Sequence, residues 1–397
     1  MMLLVLLSGF SLSQAYRTVS AILAPGLQAD FGLPTTSLGA FAGLFGLSFG
    51  VAQLFMGIAL DRYGLRRTVL AAAPLSIVGA ALSALAPSQG WLMTGQVLIG
   101  IGCSPAFVAC TLFIARHFAA HRFAFFSGLS MGVGGLGLLF TGTPLALAVQ
   151  QWGWRTGFGL LTVMSVVSWW LIYLWVHEPD SVDARDRQAI GWGEAILGLG
   201  RLFALPHTWG IVILGMSCYA AFLSLRGLWL GPMLIHRLGF SLVESGNVAL
   251  ALSLIALVTP AAFGRLDPGP QRRRTWVANA SLLMAALFAM LAFVQHAGTT
   301  VALMIMTGVV SGHGVLQYAD VRSSYAPELT GRALSLYTMA MFLGVAFMQS
   351  LTGAVAAWAD GHGQEPYRAV LLTIAVWLLA ASMAFRLLPS SSLLKPH

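Results

Sequence analysis

Residues 57–67 read Gly57-Ile58-Ala59-Leu60-Asp61-Arg62-Tyr63-Gly64-Leu65-Arg66-Arg67. Glycine permits a tight turn, a carboxylate can cap a helix N-terminus, and arginines hold to the surface of a membrane. The stretch therefore reads as a short basic turn between two helices. Its flanks say what kind of helices. Residues 31–60 and 68–115 contain no Asp, Glu, Lys or Arg, and about 20 apolar residues suffice to cross a bilayer.

The rest of the chain continues the pattern. Of its 397 residues 58% are apolar and 9% charged, against about 25% charged in ordinary globular domains. Such a chain cannot cover a water-soluble body with polar surface, which excludes a cytosolic enzyme, a secreted scaffold and a free nucleic-acid binder. The expected fold is an all-α membrane protein of twelve transmembrane helices. Spans are expected near 3–28, 31–60, two in 68–115, 123–154, 155–177, 207–236, 240–263, two in 275–319, 333–359 and 367–388. The tight turn Pro87-Ser88-Gln89-Gly90 divides 68–115, and His296-Ala297-Gly298 divides 275–319. Residues 1–15 resemble a signal peptide but lack a basic start, and are read as half of the first span. Cys103, Cys110 and Cys218 match no metal spacing and are read as apolar packers. No metal or cofactor is expected.

Arginine placement sets an expected orientation. With both termini cytoplasmic, inner loops and tail hold sixteen basic residues and outer loops three: Arg155, Arg237 and Arg368. That bias obeys the positive-inside rule and points to a bacterial-type inner membrane. Arg17 and Arg226 fit no loop. The longest polar segment, 178–206, separates two pseudo-symmetric six-helix halves, 1–177 and 207–397. Part of it, Trp192 to Phe203, is suited to a helix on the membrane surface. Arg17 precedes Asp61 and Arg226 precedes Asp267 by similar distances, so the halves read as a repeat.

The turn at 57–67 closely resembles the signature loop of the major facilitator superfamily, and Gly264-Arg265-Leu266-Asp267 with Arg272-Arg273-Arg274 is similar to a degenerate second copy. Gly153-Trp154-Arg155 and Glu178-Pro179 also resemble loops of that family. The resemblance implies a secondary transporter working by alternating access. It implies that Asp61, with Arg62, Arg66 and Arg67, acts as a gate latch against the start of span 11 at Arg332.

An arginine at mid-bilayer costs about 3 kcal/mol, so Arg17 and Arg226 require a partner or a polar cavity. No acid is placed deep in a span: Asp30, Glu244 and Asp320 all fall near helix ends. A guanidinium can grip an anion through two parallel hydrogen bonds, and the competing reading is an arginine bonded to backbone carbonyls. Gln14-Ala15-Tyr16-Arg17 and Leu225-Arg226-Gly227-Leu228-Trp229 also resemble the paired arginines of the organophosphate:phosphate antiporter branch. That branch, however, has a lysine where Ala52-Gln53-Leu54 stands and a histidine in span 5 that this chain lacks.

The expected substrate is a small organic anion, a carboxylate or phosphorylated metabolite, bound by Arg17 and Arg226. Gln53, Gln96, Gln317 and Tyr337 are the expected polar lining. His313 is the candidate for proton coupling, as imidazole titrates near neutrality; a neutral, packed histidine is the equal alternative. The competing function is efflux of amphipathic compounds. Expected partners are the anion, a proton as candidate co-ion and the lipid bilayer, with no nucleic acid and a monomeric state.

Overall fold

In a computed structural model, residues 1–118, 123–177 and 200–391 are described. Most of 178–206 therefore lies outside the described residues; 200–203 are helical. Among the described residues, eleven helices are long and apolar enough to cross a membrane. The twelfth span is the first, built from two pieces, Met2–Thr18 and Ser20–Phe31. Spans 2 and 3 are Thr35–Tyr63 and Leu65–Ala84; span 4 is Gln89–Cys103 with Ala106–His117. Span 5 has three pieces, Phe123–Gly134, Leu136–Phe140 and Thr143–Trp152, and span 6 is Trp154–Trp175. Span 7 runs Pro206–Ser224, a π-helical turn Leu225–Trp229, then Leu230–Leu238. Spans 8 and 9 are Leu242–Arg265 and Pro270–Phe293; span 10 is Ala297–Ser311 with Gly314–Ser324. Spans 11 and 12 are Pro327–Gly361 and Pro366–Leu387. Twelve crossings put both termini at one face, called here the terminal face.

The irregular spans follow a rule. Spans 1, 4, 7 and 10, the first of each consecutive group of three, are all interrupted, and span 5 joins them. Local chemistry causes the breaks. Pro105 has no N–H to continue span 4, and Pro232 lacks the donor that Leu228 O would receive, beside the π turn. Gly312, His313 and Gly314 interrupt span 10. The four-fold recurrence extends the repeat seen in the sequence down to three-helix units.

The signature turn and its second copy fold alike. Gly64 and Gly269 each sit at φ 84°, a conformation that side chains rarely adopt. In the second copy Arg273 Nη2 donates to Asp267 Oδ2 (2.6 Å), and Asp267 Oδ1 accepts from Gly269 N (3.1 Å). Arg273 also donates to Ala319 O (3.1 Å) and Ser323 Oγ (3.0 Å), tying span 9 to span 10.

The two halves meet through small residues. Gly39, Gly43, Gly46 and Gly50 form one stripe on span 2, facing Phe342, Ala346, Ser350 and Gly353 of span 11. A Cβ on Gly43 would lie 2.8 Å from Ala346 O, so only glycine lets the backbones approach this closely. Span 7 lies as close to span 1: a Cβ on Gly227 would fall 2.7 Å from Arg17 O. Span 5 meets span 8 at Gly142 and Leu250, and Thr143 Oγ1 donates to Asn247 Oδ1 (2.6 Å). These contacts lie between mid-span and the face opposite the termini, which they seal.

Two outcomes follow from this packing. Gly43→Ala should cost about 1–3 kcal/mol through overpacking, read as a lowered melting temperature of purified protein. Gly264→Ala, which meets nothing within 4 Å, should leave the melting temperature unchanged or slightly raised. The Arg273 hydrogen bonds hold the Asp267 carboxyl below the usual carboxylate range. Its stabilisation is therefore present above that range and lost as pH falls through the depressed value. Asp267→Asn should lower the melting temperature at neutral pH, with the difference closing in acid.

Candidate functional site

Arg17 stands at the junction of the halves, just before span 1 is interrupted, and is half-buried. Its guanidinium carbon lies 4.9 Å from the ring centre of Phe49 in span 2 and 4.7 Å from that of Phe342 in span 11. Nη1 donates to Tyr219 Oη (3.2 Å) and Nη2 to Ser13 Oγ (3.3 Å), while Nε has no hydrogen-bond partner. Two aromatic faces and two hydroxyls, with no carboxylate, leave this cation incompletely satisfied. Each half supplies one ring and one hydroxyl.

Arg226 has different surroundings. It is 1% exposed and lies inside the π turn of span 7. Nε donates to Ala249 O and Ser253 Oγ, both at 3.1 Å. Nη2 donates to Leu138 O (3.1 Å) and lies 3.4 Å from Thr141 Oγ1. Leu138 and Thr141 border the break in span 5, where Gly142 and Pro144 interrupt the helical ladder and leave carbonyls without their usual donors. A cation at that helix C-terminus satisfies them and interacts favourably with the local dipole. Thr141 Oγ1 in turn shares a 2.6 Å hydrogen bond with Thr18 Oγ1 of span 1. Arg226 thus bridges the halves through backbone, with Nη1 its one nitrogen lacking a partner.

The expected polar lining divides similarly. Gln53 is 8% and Gln96 1% exposed, and Gln96 Nε2 has no partner. Gln317, Tyr337 and His313 form one buried chain within the second half. Tyr337 Oη donates to Gln317 Oε1; Gln317 Nε2 donates to His313 Nε2 (3.2 Å), which also lies 3.2 Å from Ser281 Oγ. His313 Nδ1 is 2.7 Å from Val310 O and, facing a carbonyl, must carry the proton. That set fits neutral imidazole; a proton on Nε2 would require the Gln317 amide to turn over.

In the signature turn, the Asp61 side chain lies outside the described residues. Arg66 Nη2 donates to Tyr173 O (3.0 Å) of span 6; Arg62 and Arg67 are exposed and Arg332 is half-buried. Sequence reasoning missed the two rings flanking Arg17, because nothing distinguishes Phe49 and Phe342 among 23 phenylalanines. It also placed Asp320 with the helix-end acids. That placement agrees with the helix Gly314–Ser324, but Asp320 is also 3% exposed, because spans 9, 11 and 12 pack over the last turns of span 10.

The two arginines should therefore separate under substitution. Arg226→Met removes the charge-assisted hydrogen bonds to Leu138 O, Ala249 O and Ser253 Oγ, each worth about 1.5–3 kcal/mol, and should lower the melting temperature markedly. Arg17→Met removes a cation that no acid or carbonyl holds, and should leave it close to wild type. Equal melting temperatures for the two variants would contradict this division.

Comparison with known proteins agrees with the architecture. Human solute carrier family 2, facilitated glucose transporter member 10, is 29% identical over 203 residues, 49% of this chain but only 37% of that protein. The gentisate transporter of Corynebacterium glutamicum is 25% identical over 372 residues, covering 90% of this chain and 80% of the relative. The crystal structure of a D-xylose-proton symporter superposes with a TM-score of 0.76 over 98% of both chains at 17% identity, a likeness of fold. Residues 5–348 match the sequence profile of the Major Facilitator Superfamily. With that match covering most of a chain of interrupted and continuous spans in two repeated halves, the protein belongs to the Major Facilitator Superfamily.

Proposed function

We propose that the protein is a secondary carrier for a small organic anion, whose acidic group docks on Arg17. The observation that carries this reading is the state of that guanidinium: half-buried at the junction of the halves, with no acidic partner and an unpartnered Nε. Phe49 and Phe342 favour a substrate with a flat or apolar body beside its charge, because ring faces contact such a body without losing hydrogen bonds. Arg226 supports the site from behind, through the carbonyls of span 5, with Nη1 left for the anion. The relative named as a gentisate transporter is consistent with an organic anion. In this reading the arginine-rich terminal face is cytoplasmic and the sealed face looks outward. Separating Phe49 from Phe342, and Gly142 from Leu250, opens the outer path in the alternate state.

A thermal-shift series on purified protein tests the substrate class, using gentisate, glucuronate, glycerol 3-phosphate and neutral glucose. An anion at 100 times its dissociation constant should stabilise by about 2.7 kcal/mol. Arg17→Lys, which keeps charge but loses the planar fork, should weaken that shift, and Arg17→Gln should abolish it with a normal ligand-free melting temperature. Stabilisation by glucose alone, unaltered in Arg17→Gln, would refute the anion site.

A further inference from the structure

Three acids near helix ends have different surroundings. Asp30 accepts from Arg155 Nη1 (2.6 Å) and Trp154 Nε1 (2.8 Å). Glu244 caps span 8, accepting from Ser241 N (2.8 Å). Asp320 has no such arrangement. Its Oδ1 is shut off from water with no hydrogen-bond partner, and it makes no ion pair among the described residues.

The groups around Asp320 come from every element packed on it. From span 9, Arg273 and Arg274 are near enough to act on it through space. Both are committed elsewhere: Arg273 to Asp267, Ala319 O and Ser323, and Arg274 to the carbonyls of Phe385, Leu388 and Pro389. Tyr337 of span 11 faces it, as does Tyr325 after span 10, whose ring lies 4.8 Å from that of His207 in span 7. Span 12 contributes Phe385, and Arg386 is turned away onto Asn279. Asp320, Gln317 and Tyr337 line one small cavity with Ile211, Leu214 and Phe385.

A charged carboxylate with one oxygen shut off from water and given no donor is costly. A carboxyl that merely filled space would need no ionisable group, and an ionisable residue inside a span is a functional site by default. Taking up a proton removes the charge with no rearrangement of the two committed arginines. His313 is less suited to the task, since both of its ring nitrogens are already engaged.

We propose that Asp320 is a proton-binding site, at which one O–H bond forms on the carboxylate with a proton drawn from water at the terminal face. On release, in the alternate state, the same bond breaks and the proton passes to water that enters from the opposite face. Tyr337 and Gln317 line the same small cavity as the carboxyl, and their hydrogen bonds continue from there to His313 in the middle of the second half. This site rests on the carrier reading for its role: the proton it binds is the co-ion of transport.

Infrared difference spectra of the purified protein, acid minus neutral, test the assignment without any transported solute. Wild type should show the C=O stretch of a weakly hydrogen-bonded carboxyl, at the high-frequency end of the carboxyl region. Asp320→Asn should lose that band, Asp320→Glu should keep it at a shifted frequency, and His313→Gln should retain it unchanged. Asparagine is close in shape to a protonated aspartate, and the glutamate variant gives a positive signal if the asparagine variant folds poorly. An unaltered band in Asp320→Asn overturns the proposal. So does an imidazole signal that vanishes in His313→Gln with no Asp320 band present. The thermal-shift series fails separately: no anion effect beside an intact Asp320 band refutes the substrate class and not the proton site.

Discussion

Inside a bilayer every backbone N–H and C=O must find its partner within the protein, and the breaks in span 5 are where this fold meets that demand most visibly. The helix breaks at Gly142, whose N–H turns to Leu139 O and leaves the carbonyl of Leu138 without its helical donor. Arg226, arriving from the other half, supplies the missing donor. A buried cation and a broken helix, each costly alone, satisfy one another. The seal between spans 1, 5, 7 and 8 depends on that exchange, since Thr141 is also the partner of Thr18.

The same economy recurs along the repeat. Spans 1, 4, 7 and 10 are interrupted, and they carry Arg17, Gln96, Arg226 and the His313–Gln317 pair. Continuous spans serve a different purpose. The glycine stripe of span 2 lies against span 11 by backbone contact, with no charged side chain from either span among the nearest atoms. A carrier needs both kinds: polar interruptions where solute and protons are handled, and an apolar seam whose halves can part. The two arginines divide along that line. Arg226 is held by carbonyls of its own half and of span 5, while Arg17 lies between rings from opposite halves with no carbonyl to hold it.

Much of this was legible from the chain. Uncharged runs and the 57–67 turn gave the spans and the family, because lipid imposes a strong compositional demand on whatever it touches. The repeat of the arginine-bearing segments was visible as spacing. The interruption of span 1 was not, since Thr18 and Val19 carry no breaker signal and the irregularity accompanies the hydroxyl contact with Thr141. The burial of Asp320 was hidden as well. A position near a helix end carries no burial signal, and only the neighbours packed over it make it interior.

The sequence by itself determined membrane residence, the number and order of spans, and which few polar residues lie within them. These follow from composition and spacing, which are local properties of the chain. Tertiary structure alone decided what each of those polar residues meets. Arg17 and Arg226 look equivalent as letters, yet one meets aromatic faces and the other the carbonyls of a broken helix. The reason is physical: the cost of a buried charge is set by the donors and acceptors within about 4 Å of it, and residues hundreds of positions away supply them.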